Sequence, residues 1–130
     1  MKKVAFLFPG QGSQVVGMGH DLFENYEVGK KVYEKADEVL GRSISKICFE
    51  GPEEELKQTI NTQPAILTTS IAALEAFKSK CDIKPAFTAG HSLGEYVAYY
   101  AAGAISLENA LKLIQKRAEL MGATKGGSMA

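Results

Sequence analysis

Gly90-His91-Ser92-Leu93-Gly94 is the stretch of this chain best equipped for chemistry. The pattern G-x-S-x-G, entered by a strand and left by a helix, makes a sharp turn that exposes the serine hydroxyl, and the small flanking residues let the backbones approach. Ser92 is then a nucleophile for acyl chemistry. The same turn aims the Leu93 N–H and the helix N-terminus at an oxyanion forming on the substrate. A plain glycine-rich turn is the alternative; the strand before and helix after favour the nucleophile. Such a serine needs a base, and only His20 and His91 exist. His91 adjoins Ser92, so its ring leaves the turn in another direction and suits local packing or hydrogen bonding. His20, just after Gly19, reads as a surface residue near a helix start. Neither completes a triad.

A second candidate is Arg117. On a helical wheel at about 100° per residue, Leu107, Ala118 and Met121 fall within about 40° of Ile114, and Leu111 near about +60°. Leu113 and Leu120 widen the apolar arc to about −120°, while Lys112, Gln115, Lys116 and Glu119 take the other side. Arg117 lies at about −60°, inside the apolar arc. A guanidinium there needs a partner, because an unpaired buried charge costs several kcal/mol. It is either one half of a structural salt bridge, an arginine snorkelling from the edge of the face, or a planar fork for a carboxylate on the substrate.

The elements that position these residues follow from the apolar spacing. Val4–Phe8 is an unbroken apolar run closed by Pro9-Gly10, which predicts a strand buried on both faces. A glycine- and glutamine-rich loop follows, from Gly10 to Gln14. Helical patterns after Gly19 break at Asn25-Tyr26; the second runs from about Val28 to Leu40, with Val32, Tyr33, Ala36, Val39 and Leu40 on one side and Gly41 as its stop. Signals from Arg42 to Asn61 are short and weak, with a turn at Gly51-Pro52. Thr62 is an expected N-cap and Pro64 an expected first-turn residue of a helix reaching about Lys80. Ala86–Ala89 is the second expected strand, Gly94–Ala102 a central helix, and Ser106 the cap of a last helix over Leu107–Gly122. Thr124–Ala130 carries no pattern. This order predicts an α/β fold with parallel strands.

Composition narrows the class. A length of 130 residues suits one domain, and 45% hydrophobic residues suffice for a core. Fifteen basic residues balance fifteen acidic ones, which argues against nucleic acid or an anionic membrane as the main partner. The apolar run at the start stops before the ~7–15 residues of a signal-peptide core, and no segment approaches the ~20 of a membrane span. Cys48 and Cys81 are far apart with no CxxC spacing, so they read as reduced thiols. A cytoplasmic protein is expected, with no metal and no organic cofactor.

Four motifs together closely resemble the malonyl-CoA:acyl carrier protein transacylase family, relatives of the acyltransferase domains of polyketide synthases. They are Phe8-Pro9-Gly10-Gln11-Gly12-Ser13-Gln14, Thr62-Gln63-Pro64-Ala65, Gly90-His91-Ser92-Leu93-Gly94-Glu95 and Arg117. The resemblance implies that Ser92 attacks a malonyl thioester and carries the malonyl group as an ester. It implies backbone N–H groups of Gln11 and Leu93 as oxyanion hole, Arg117 as bidentate partner of the malonyl carboxylate, and Gln63 as a neighbour supporting that pocket. The implied substrates are malonyl-CoA and acyl carrier protein, in fatty acid synthesis, with the complete enzyme a monomer.

The resemblance also implies that the chain is the N-terminal part of an α/β-hydrolase-like large subdomain, ending near the junction with a ferredoxin-like small subdomain that is not included. The family's general-base histidine falls beyond Ala130. A polypeptide ending there is expected to lack turnover and to leave apolar strand faces uncovered. The start at Met1 favours a discrete bacterial-type enzyme. Competing readings are a serine hydrolase or thioesterase, a polyketide-type acyltransferase with another extender unit, and an inactive fragment with only a binding role. Against a hydrolase stand the Gln11 loop and the inward Arg117; Leu93 leans toward malonyl.

Overall fold

Among the described residues two short apolar segments form the sheet, and seven helices pack with it, covering one of its faces. The computed structural model describes residues 2–127. Strand β1 (Ala5–Phe8) and strand β2 (Phe87–Gly90) pair in parallel, with Ala5 opposite Phe87 and Phe8 opposite Gly90. A parallel pair needs a long crossover. Here it is made of α1 (His20–Asn25), α2 (Glu27–Leu40), α3 (Ile44–Glu50), α4 (Glu53–Leu56) and α5 (Thr59–Lys80). Helices α6 (Gly94–Ala101) and α7 (Leu107–Ala123) follow β2. The α/β reading with parallel strands holds. Met1 and Ser128–Ala130 lie outside the described residues, and Thr124–Gly127 forms no helix or strand.

Burial of the strands on both faces does not hold. Exposed and half-buried residues alternate along each strand, and Leu7 and Phe87 are 76% and 65% exposed. Helices cover one face only. Phe6 meets Phe77 of α5 edge-on at 5.6 Å, and the Thr88 hydroxyl donates to the Ala98 carbonyl of α6. The other face keeps its apolar side chains uncovered, as the family resemblance leads one to expect for this stretch.

The core sits among α2, α5 and α7, where Tyr33, Ala36, Leu67, Ile71, Leu111, Ile114 and Ala118 are fully buried. Helix α2 stops where expected: Gly41 takes φ 66°, a left-handed conformation that glycine adopts freely. Asp37 then ties the end of α2 to α3 by accepting from the Ser45 N–H at 2.9 Å. Helices α3 and α4 have seven and four residues, too short for periodicity to reveal. On α7 the buried face is narrower than the wheel suggests. Leu113, Leu120 and Met121 are about half exposed, and Ala110, Leu111, Ile114 and Ala118 alone are buried.

Helix α5 begins at Thr59, not after Thr62, and Pro64 lies inside it. The Thr62 hydroxyl does not cap; it donates to the carbonyls of Gln58 and Leu56. An interior proline has no N–H for the carbonyl four residues back, which is Ile60. That carbonyl is taken by the Arg42 guanidinium instead, Nη2 donating at 2.7 Å. The helix therefore tolerates its proline through a cation from the α2–α3 connection. Arg42→Met is expected to destabilise the protein by about 1–2 kcal/mol, the cost of a lost charged hydrogen bond. A urea midpoint equal to wild type would refute this.

The loop between β1 and α1 is anchored at its far end. Gly17 N–H donates to the Cys48 carbonyl at 2.8 Å, and Gly19, at φ 77°, lies against the Tyr33 hydroxyl, where a Cβ would overlap it. Tyr33 bonds Thr69 of α5 at 2.7 Å. Burial, the largest cause, pushes the Cys48 thiol from 9.0 up to about 12 and pushes Tyr33 up in the same direction. The buried neutral forms contribute stability that is complete below their unfolded-state values and is lost as pH rises through the folded ones. Stability is expected to fall between about pH 9 and about pH 12, less steeply in Cys48→Ala. A thiol reagent is expected to modify half-buried Cys81 in the native protein and Cys48 only on unfolding.

Candidate active site

Strand β2 ends at Gly90 and helix α6 starts at Gly94, leaving three residues for the reversal. Ser92 sits at φ 56°, the one non-glycine residue with positive φ among the described residues. Such a conformation costs about 1–3 kcal/mol and persists only where its surroundings enforce it. The two glycines explain the enforcement. A Cβ on Gly90 would overlap the Gly94 carbonyl group, and one on Gly94 would lie 2.5 Å from the Phe8 carbonyl oxygen and 2.8 Å from that of Pro9. Strand β2, helix α6 and the end of β1 therefore meet backbone to backbone beneath the serine. The Leu93 side chain is fully buried and pins the turn to the core.

The Pro9–Gln14 loop lies against this turn. His91 N–H donates to the Phe8 carbonyl at 3.0 Å, and a Cβ on Gly10 would sit 2.5 Å from His91 Nδ1. Gln11 follows directly, its side-chain amide donating to the Thr59 hydroxyl at 3.3 Å. Among the described residues no acceptor takes the backbone N–H of Gln11 or of Leu93. Unpaired backbone donors beside the half-buried Ser92 hydroxyl are suited to an oxyanion.

Helix α7 delivers the cation. Arg117 Nη2 donates to Ser92 Oγ at 3.0 Å, and Nη1 donates to Gln63 Oε1 at 2.7 Å. Gln63 is fully buried on α5, and its Nε2 donates to Met121 Sδ at 3.3 Å, so its oxygen faces the arginine. The guanidinium carbon lies 5.9 Å from the centre of the Tyr96 ring. Half-buried, Arg117 takes part in none of the ion pairs among the described residues, which involve lysines and His20. Of the readings open from the wheel, the structural salt bridge is not what the fold builds.

Ser92, Leu93, Arg117 and Gln63 thus converge, with Gln11 on the loop beside them. The histidines do not join. His91 is exposed and packs toward Gly10, while His20 stacks edge-on with Phe49 and lies 3.5 Å from Glu24 on the surface. Tyr96 and Met121 also belong to the cluster, and no sequence motif marks them as site residues. Their signal was i, i+4 spacing, Tyr96 four residues after Ser92 and Met121 four after Arg117. No group of three or more His, Cys, Asp or Glu side chains among the described residues could hold a metal ion, and no helix there is long and apolar enough to cross a membrane.

Residues 5–130 match the family model described as acyl transferase domain. The chain belongs to the acyl transferase domain family. This chain is 55% identical over 121 residues to the malonyl CoA-acyl carrier protein transacylase of Bacillus subtilis, covering 93% of this chain and 38% of that protein. A crystal structure of an acyl carrier protein S-malonyltransferase from Vibrio cholerae superimposes with a TM-score of 0.89 at 46% identity, over 94% of this chain and 40% of that one. A malonyl-transacylase solved with its type II polyketide synthase acyl carrier protein matches with a TM-score of 0.87 at 42% identity, over 92% of this chain and 39% of that one. The chain thus spans about two fifths of the length of these relatives.

Proposed function

We propose that this acyl transferase moves a malonyl group from malonyl-CoA to the phosphopantetheine thiol of an acyl carrier protein, in fatty acid biosynthesis. One observation carries the reading: a half-buried arginine fork with no anionic partner among the described residues stands 3.0 Å from the oxygen of a half-buried, backbone-strained serine. A carboxylate next to a reacting acyl carbon supplies what that fork lacks. The names of the transacylase relatives agree with this chemistry. The chain is the N-terminal portion of an α/β-hydrolase-like large subdomain, and the turn at Ser92 is its nucleophile elbow.

In this mechanism Ser92 Oγ attacks the thioester carbon while the oxyanion accepts from the N–H groups of Gln11 and Leu93. Arg117 holds the malonyl carboxylate and Gln63 braces Arg117. The carbon–sulfur bond breaks, and coenzyme A leaves as a thiol with the proton that Ser92 gave up. The carrier thiol then attacks the malonyl ester, and the proton returns to Ser92. Neither His20 nor His91 serves as the proton carrier. All bonds made come from the two substrates and Ser92, so the reaction needs no cofactor. A cytoplasmic setting fits two unpaired thiols.

The test is incubation of the intact protein with malonyl-CoA, followed by mass analysis of the Ser92 peptide and addition of carrier protein. A malonyl ester on Ser92 that passes to the carrier thiol is expected. An ester lost to water at the same rate with and without carrier would instead identify a thioesterase.

A further inference from the structure

The contact between Arg117 and Ser92 does more than place a clamp. Arg117 is the one side-chain hydrogen-bond partner of Ser92 Oγ among the described residues. Its other terminus is braced by Gln63, whose amide is itself held by Met121 Sδ, so the fork is pressed onto the serine rather than resting there loosely. Both oxygens that Arg117 meets are neutral. A carboxylate binds a guanidinium more strongly than a neutral acceptor does, because it adds opposite charge and can accept two parallel N–H bonds.

We infer that in the empty site Arg117 restrains the nucleophile, and that the substrate's own carboxylate releases it by drawing the guanidinium donors off Ser92 Oγ. This rests on the reading of Ser92 as nucleophile and Arg117 as carboxylate clamp. A cationic donor on Oγ ties up one of its two lone pairs and draws electron density from the oxygen, which makes it a weaker nucleophile. It also fills space close to the oxygen, where the acyl carbon must come to about 3–3.5 Å. Thioesters without a carboxylate leave the restraint in place. Discrimination against them therefore lies in the rate of serine acylation as well as in binding.

A small free carboxylate should lift the restraint without being a substrate. The experiment uses a fluorophosphonate with an uncharged tail, which forms an Oγ–P bond at an active serine while the P–F bond breaks and HF leaves. The second-order rate of labelling at Ser92 is measured by mass spectrometry in the intact protein, with sodium formate or with sodium chloride at equal ionic strength. Formate is expected to raise the rate roughly tenfold or more, the scale of one charged hydrogen bond. Arg117→Met is expected to label faster than wild type without formate and to ignore formate.

A wild-type rate that formate leaves unchanged or lowers overturns the restraint, and so does a folded Arg117→Met protein that labels no faster. If that variant does not fold, the wild-type formate series decides. Malonyl-CoA provides the separate control. A protein that forms malonyl-Ser92 yet shows flat labelling keeps the functional reading and loses the restraint. One that responds to formate but forms no malonyl ester loses the reading and keeps the restraint.

Discussion

Ser92→Ala is expected to lower malonyl transfer by about 10⁴-fold or more while changing the affinity for malonyl-CoA little. The reason is specific to covalent transfer. Without Oγ there is no ester to hold the malonyl group between donor and acceptor, and direct attack by a carrier thiol would need both large substrates at once. The fold should survive, because Ser92 Oγ makes one side-chain contact, to Arg117, and the turn is held by Gly90, Gly94 and buried Leu93. Alanine tolerates φ 56° no better than serine, so a loss of about 1 kcal/mol or less in stability is the accompanying expectation. Steady-state transfer, a mass shift at the active-site peptide and a urea curve together check this. Retained transfer in Ser92→Ala would remove the ester intermediate from the mechanism.

Arg117→Ala is expected to reverse the preference between acyl groups. The value of kcat/KM for malonyl-CoA should fall by about 10²-fold, the scale of a lost charged pair of about 3 kcal/mol. For acetyl-CoA it should stay level or rise, because acetyl has no carboxylate to lose and the hydrogen bond to Ser92 is gone. The ratio of the two values is the measurement, since a merely damaged enzyme would lose both in parallel. An unchanged ratio would exclude Arg117 as the carboxylate partner. Gln63→Leu should move the ratio in the same direction by less, because it removes the brace at Nη1 and leaves the charge.

Local signals carried most of the fold. The two strand segments, the stop at Gly41, the cap at Ser106 and the break at Asn25-Tyr26 each depend on residues close together in the chain, and each stands within a residue or so of where its sequence places it. The start of α5 did not, because the tolerance of Pro64 depends on Arg42, which reaches it from another connection. The exposure of Leu7, Phe87, Leu113 and Leu120 was equally illegible, since apolar spacing marks a side that can be covered and not whether anything covers it.

At the site the division is similar. G-x-S-x-G between strand and helix is a backbone requirement, so Ser92, Leu93 and the two glycines could be read from five consecutive residues. Arg117 could be placed on the inner side of its helix by spacing, yet its partners could not. Gln63, Ser92, Tyr96 and Met121 are contributed by α5, the turn into α6, α6 itself and α7, and only packing of those helices brings them together around Arg117. By itself the sequence determined which residues have the chemistry and which local geometry holds the serine. The tertiary structure decided that the Arg117 cation bonds Ser92 directly and, among the described residues, lacks a counter-ion. Hydrogen bonds across 25 and 54 residues of chain depend on how helices pack, and no local pattern encodes that.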